Sequence, residues 1–592
     1  MIRNIYDFVV EQETAYQLPI EPIEGWSWGM KNHVRRSALY KNSQFEIDNE
    51  NRTKRPNKNI VLPLLNIQYR LEGFDVKDIE IYTTNPDSYH KSFLIKKYHE
   101  KWAREQGIDT FIDKIVESYV DYGGVLVKNG KELEVVDLQT VAFCDQTDIL
   151  SGAFAIKHYF NPEQLREMTA WDSDAIDKAI LQAEYAKEQD KENIQSKTPS
   201  KYIEVYEVHG VFPNDILYSD QEGYEPSKDY SPQIHIISFY QDSTGRKNGI
   251  TFFKKREPIL PFKFLARDGG IFGRALGRGG VEELFEPQIW TNYAERRIAM
   301  LLDSASKVLF KTTDPQFKNK NKLNDLEDNS VLTLQEGRDI QQVDTTPRSL
   351  QLFQQYIDTR QDNASRIAAA GDILEGKSPS SGTPFKSLEL QTIESKGMHF
   401  YRQGQIATFM DEIYRDWVLP KLSKGITTEK TFLTILSADE VQEIAERLVT
   451  NKVNDRIKEI ILSNVLVKKQ DMEILRQELT VVFLKQGRKR FGKILEGEMK
   501  GEELDVFTNI AGKQKDLSLL TDKLVNLVRQ FIATPQLRQD PELVKMLNNI
   551  MESSGISPIM FSPAPMAPAM APAAAPGGNT EPLQALAQAN AQ

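Results

Sequence analysis

Residues 384–419 read as one helix of about 35 residues, long for a globular domain, and helical stretches flank it on both sides. Thr383-Pro384 starts it with an N-cap and a first-turn proline, and Gly397 and Gly404 interrupt it as candidate kink sites. Upstream lie a helix over 281–305 (EPQIWTNYAERRIAMLLDSA), an extended insertion over 306–346 and a second helix over 347–370. Thr346-Pro347 begins that second helix, and Leu350, Phe353, Ile357, Ala364 and Ile367 form its apolar stripe. The loop GDILEGKSPSSG (371–382) then leads into the long helix. Residues 437–552 form a further helical block, opened by the capping box Ser437-Ala438-Asp439-Glu440.

The first 280 residues read as α/β. NIVLPLLNIQYRLEGF (59–74) fits either a buried helix or an extended segment broken at Pro63. A helix is expected over 90–106. Asp109 caps another, with Phe111, Ile112, Ile115, Val116, Tyr119 and Val120 on one face and Gly123-Gly124 as its stop. Asn129-Gly130, between two β-rich arms, marks a hairpin. TVAFC, GAFAIKHYF, YIEVYEVHGVF and QIHIISFY read as strands. Asn161-Pro162 opens a short helix, Ser173 a longer one, and residues 259–280 form a glycine-rich turn system. The expected class is α+β, predominantly helical.

Lys and Arg number 74 against 85 Asp and Glu, a net charge of −11 over 592 residues. That balance disfavours a protein gripping nucleic acid over its whole surface. The single cysteine, Cys144, excludes an intramolecular disulfide and a multi-cysteine metal site, and it reads as a small core residue. Seven histidines without an HExxH motif argue against a zinc hydrolase. His158, His209 and His235 lie in strand patterns and read as satisfied structural residues. Arg3, Asp7, Glu11 and Glu13 break up any secretory signal in the first 20 residues. Ser553–Thr580 carries no charge, but its recurrent prolines forbid a membrane helix. Residues 557–592 read instead as a flexible Pro/Ala-rich tail, and no membrane contact is expected.

GDILEGKS (371–378) matches the pattern of a phosphate-cradling loop, whose backbone N–H groups, lysine and hydroxyl serve phosphates and magnesium. That chemistry needs a strand before the loop and a helix starting at its Lys-Ser end. Here a helix precedes it, and Pro379, Ser380, Ser381 and Gly382 follow. No apolar run ending in acidic residues is available to hold a metal. GRALGRGG (273–280) lacks dinucleotide-binding spacing and reads as a tight bend into a helix. The pairs Asp145/Asp148 and Asp172/Asp174 have no partner constellation. No enzymatic activity, cofactor or metal is expected. Two basic clusters stand out, FKNKNK (317–322) in the insertion and KQGRKRFGK (485–493) in the C-terminal block. The first, at the tip of a helix–insertion–helix unit, could face an acidic protein or nucleic acid.

This order of parts resembles the portal proteins of tailed bacteriophages, over about residues 55–550. PFKFLARDGGIFGRALGRGG resembles the entry into the first stem helix of that family, and RIAAAGDILEGKSPSSGTPFKSLELQ the passage from the second stem helix through the tunnel loop. The resemblance divides the chain into an α/β wing (1–280), stem helix (281–305), clip (306–346) and second stem helix (347–370). A tunnel loop (371–383), a long kinked wing helix with its return (384–436), a helical crown (437–556) and the tail (557–592) complete it.

The resemblance implies a homo-oligomeric ring, usually of twelve copies, at one capsid vertex of the virion, made in the host cytoplasm. Double-stranded DNA enters and leaves through its axis. Terminase, a head–tail adaptor and the major capsid protein are the implied partners. Lys377 and Lys386, with Ser378, Ser380 and Ser381 between them, are the expected DNA-facing residues. Lys318, Lys320 and Lys322 are the expected docking residues of the clip. Trp290, Ile298, Leu301 and Leu302 are expected to pack the first stem helix against the second, in its own and neighbouring chains. The alternatives are a P-loop ATPase of terminase type and a different virion structural or connector protein.

Overall fold

The computed structural model describes residues 2–17, 28–43, 58–83, 89–189, 202–218, 223–241, 247–257, 259–306, 309–313, 336–343, 350–370, 374 and 385–425. It also describes scattered positions between 449 and 478, and 506–510. The chain separates into two units, Met1–Lys513 and Gln514–Gln592, and every described residue lies in the first.

Helices α1 (Ile2–Ala15), α2 (Met30–Lys41) and α3 (Val61–Glu72) come first. The segment 59–74 therefore resolves as a helix, with Pro63 in its first turn, where a missing N–H costs nothing. Strand β1 (Ile79–Thr83), α4 (Tyr89–Gln106) and α5 (Ile108–Tyr122) follow. The expected apolar stripe of α5 is buried along its whole length. Gly123, at φ +81°, ends it. The residue at its N-cap is Gly107 rather than Asp109; Asp109 sits in the first turn and accepts the Val76 N–H at 3.4 Å.

Strands β2 (Gly124–Asn129) and β3 (Leu133–Val136) form the expected hairpin. Next come β4 (Val141–Phe143), β5 (Phe154–Phe160), α6 (Pro162–Arg166), α7 (Ser173–Gln189), β6 (Ile203–Pro213), α8 (Asn214–Tyr218), β7 (Tyr230–Gln241) and β8 (Lys247–Arg256). Asn161 caps α6 in a reciprocal box with Gln164. Strands β4 to β8 make an antiparallel sheet in sequence order. On one face Ile5 and Val9 of α1 pack on Val208, Phe212 and Ile237. On the other, Ile176 and Ile180 of α7 pack on Val205, Ile236 and Phe252.

The glycine-rich stretch 259–280 is not all turn. Phe262–Ala266 forms β9, which pairs antiparallel with β2 to give a sheet of order β3-β2-β9. Helix α9 (Gly280–Glu283) then leads through Leu284 into α10 (Phe285–Ser306). Strands β10 (Leu309–Thr312) and β11 (Ile340–Val343) pair antiparallel. Helix α11 (Leu350–Ile367) returns along α10. Glu286, at the start of α10, faces Arg360, in the second half of α11, at 4.0 Å. The two helices are therefore an antiparallel pair joined through a two-stranded ribbon. Ile357 and Ala364 of the α11 stripe are buried, Leu350 and Phe353 half-buried; Ile367 departs from expectation and is exposed.

Helix α12 (Phe385–Ile413) continues through a π-helical turn (Tyr414–Val418) into α13 (Leu419–Gly425). The departure from α-helical bonding thus lies at Tyr414–Val418, while α-helix runs on through Gly397 and Gly404. Ile406, Met410, Ile413, Tyr414 and Leu422 enter the main core with α3, α4 and α5. The C-terminal block is not wholly helical. Val506–Ile510 forms β12, antiparallel to β1, with Ile79 opposite Ile510 and Thr83 opposite Val506. The run VFTNI is rich in β-branched and aromatic residues, which suit a pleated surface. Helix still outweighs strand, so the class is α+β. Among the described residues no helix is long and apolar enough to cross a membrane.

Candidate functional site

Segments from α3, the β9–α9 connection, the end of α11 and the middle of α12 converge on one buried cluster of charge. Close backbone approach makes this convergence achievable. Gly277 could carry no side chain, because a Cβ there would lie 1.9 Å from Arg267 O, and one on Gly279 would lie 2.3 Å from Asp121 O. The Gly123 carbonyl accepts N–H groups of both Arg267 and Gly277, each at 2.9 Å. The stretch read as a tight bend is thus the packing joint between α5 and α9.

Arg267 leaves this joint pointing inward, wholly buried. Its Nη2 donates to Glu72 Oε1 at 3.3 Å and Gln68 Oε1 at 3.4 Å, and its guanidinium lies over the Tyr119 ring at 5.9 Å. Glu72 Oε1 also meets His399 Nδ1 at 3.1 Å and Arg402 Nη1 at 3.6 Å. Arg402 grips Asp268 with two nitrogens, Nη2 at 3.1 Å and Nε at 3.4 Å, and reaches Glu283 Oε1 at 3.4 Å. The Asp268 backbone, at φ +54°, is left-handed, and its N–H is taken by Gln405 Oε1 at 3.2 Å. His399, Arg402 and Gln405 recur at i, i+3 and i+6, one face of α12.

Burial pushes the Glu283 carboxyl above its ordinary range, against the pull of Arg267 and Arg402. Burial acts on Arg402 too, but the Asp268 bond and the charges of Glu72 and Glu283 outweigh it and hold its pKa up. Among the described residues, Glu72 Oε2 and Arg267 Nε find no hydrogen-bond partner. Such a half-satisfied buried network is a poor way to gain stability alone. What it does define is geometry: Gln68 Nε2 and His399 Nε2 take the carbonyls of Ala368 and Ala369, at 3.4 and 3.2 Å. The cluster therefore fixes the point where the chain leaves α11 for residues 371–383.

A second cluster joins the three-stranded and five-stranded sheets. Lys128 of β2 reaches both Glu207 oxygens, at 2.6 and 2.7 Å. His158 Nε2 meets Glu207 Oε2 at 2.9 Å, and His209 bridges Glu207 at 2.7 Å and Glu257 at 2.8 Å. Burial opposes charge on both Glu207 and His209. The contacts win: Glu207 is held well below the carboxylate range by His158, His209 and Lys128, and His209 is raised by its two carboxylates. His158 and His209 are thus structural, as the sequence suggests, but they act as one unit. His235 stands apart on Gln233, and burial, with Lys254, lowers it to about 4. Among the described residues no group of His, Cys, Asp and Glu side chains is arranged to hold a metal.

Of the residues expected to face DNA, Lys377, Ser378, Ser380 and Ser381 lie outside the described residues. Lys386 belongs to the first turns of α12. Within 371–383 only Leu374 is described, and it is buried. Lys318, Lys320 and Lys322, and the N-cap Thr346, also lie outside the described residues. Glu72, Arg267, His399 and Arg402 carried no sequence signal beyond the three-residue spacing on α12. Compared with known protein families and with curated proteins, the chain matches none.

Proposed function

We propose that the protein is a portal: a ring of identical subunits at a capsid vertex, through which double-stranded DNA passes during packaging and ejection. One observation carries the proposal. The α10–α11 hairpin leaves large apolar side chains uncovered along its length: Trp290 is 41% exposed, Tyr293 47%, Leu302 50% and Met300 64%. A lone chain gains nothing by wetting these side chains, and adjacent copies packed around an axis would cover them. Ile298 and Leu301, half-buried on α10, would sit at the edge of that contact.

The ribbon β10–β11 would belong to the clip that docks terminase and a head–tail adaptor, and the insertion lysines would supply its charge. The wing, the five-stranded sheet with its helices, would meet the major capsid protein. Residues 371–383 would line the conduit, with Lys377 and Lys386 toward phosphate. The acidic balance of the chain suits sliding, because a strongly basic wall would hold DNA by counterion release. The subunits perform no covalent chemistry in this scheme. Electron micrographs of the purified protein test it: rings with a central hole support the portal, and compact particles without one favour the ATPase or another virion protein.

A further inference from the structure

Helix α11 ends in a strained turn. The Ala370 N–H donates to Ser365 O at 2.8 Å and the Ala369 N–H to Arg366 O at 3.1 Å. These are the two bonds of a Schellman ending, which puts Ala369 at the left-handed position where glycine is preferred. Ala369 adopts φ +52° nonetheless, one of three non-glycine residues with positive φ among those described. A Cβ in that region clashes with its own backbone, so the conformation persists only where its surroundings enforce it.

The enforcing group is in view. The Ala369 carbonyl faces His399 Nε2 at 3.2 Å, while His399 Nδ1 faces Glu72 Oε1 at 3.1 Å. Glu72 is in turn held by Arg267 and Arg402. On either side of Ala369, Ala368 and Ala370 are buried, and Gln68 holds the Ala368 carbonyl. We propose that His399 is a positioning residue: it latches the strained Ala369 turn to the buried charge cluster and so sets the direction in which the chain leaves α11. The consequence for DNA rests on the reading of residues 371–383 as the conduit wall; the latch itself does not.

A two-by-two cycle on the full-length protein tests it, combining His399→Leu with Ala369→Gly. In His399→Leu the Ala369 and Ala370 amides should exchange with solvent roughly tenfold faster, as the turn loses its latch. Ala369→Gly removes the strain, so in the His399→Leu background it should restore most of the lost protection. His399→Gln, whose donors sit on one nitrogen, should be intermediate. If Ala369→Gly shifts protection equally with and without His399, the two are uncoupled and the latch is overturned. If the coupling is found but capsids carrying His399→Leu package and retain DNA normally, the latch stands and the conduit reading of 371–383 fails.

Discussion

Arg267 Nη2 lies 3.3 Å from Glu72 Oε1, with both side chains wholly buried. Removing Arg267 leaves the buried Glu72 with only Arg402, at 3.6 Å, and His399, at 3.1 Å, so its charge is under-compensated. Arg267→Met should therefore cost about 3–5 kcal/mol of folding stability, read as a lower denaturant midpoint. Adding Glu72→Met should recover a substantial part of the loss, because no under-compensated carboxylate remains. Equal and additive losses in the two single variants would show that the pair does not act as a unit.

The seam between the sheets predicts a pH dependence. His209 is raised above its unfolded value, so its contribution is fully present below about pH 6.5 and is lost as pH rises through the folded pKa. Glu207 is lowered, so its contribution is present above about pH 4.3 and is lost as pH falls through its own folded pKa. The melting-temperature gap between wild type and His209→Gln should be widest near pH 6 and narrow on the alkaline side. A gap that widens with rising pH would contradict the assignment.

Local signals wrote much of the fold plainly. The α5 stripe, the Asn129-Gly130 hairpin, the Asn161 cap and the alternation of β6 and β7 each depend on neighbours within one element, and each appears where the sequence put it. Strand β12 was hidden because its partner, β1, lies at the other end of the chain. Strand β9 was hidden by the glycines around it, which serve close packing as well as turns. The charge cluster was hidden for the same reason as β12. Glu72, Arg267 and His399 are distant in sequence, and only the topology brings them together.

The motif GDILEGKS should bind no nucleotide. The helix before it presents a C-terminus, whose partial charge is the wrong sign for phosphate. Isothermal titration with Mg-ATP should show no saturable heat, and Lys377→Ala should assemble as wild type does. Saturable binding abolished by Lys377→Ala would revive the ATPase alternative.

Charge reversal in the insertion should separate docking from assembly. With Lys318, Lys320 and Lys322 all changed to Glu, oligomer mass should be unchanged while binding to terminase or adaptor weakens, most at low salt, where screening is least. Binding that is identical at every salt concentration would leave these lysines a solvated face.

The ring itself is tested most directly by the mass of the purified chain in solution, measured by light scattering during size-exclusion chromatography. The account predicts a closed oligomer of many times the 67.7 kDa chain mass, near twelve copies. Replacing Trp290 and Tyr293 by Asp should convert it to monomers that still melt cooperatively, since both side chains lie largely outside the subunit core. A wild-type protein that stays at one or two chain masses across the concentration range would contradict the ring and the portal with it.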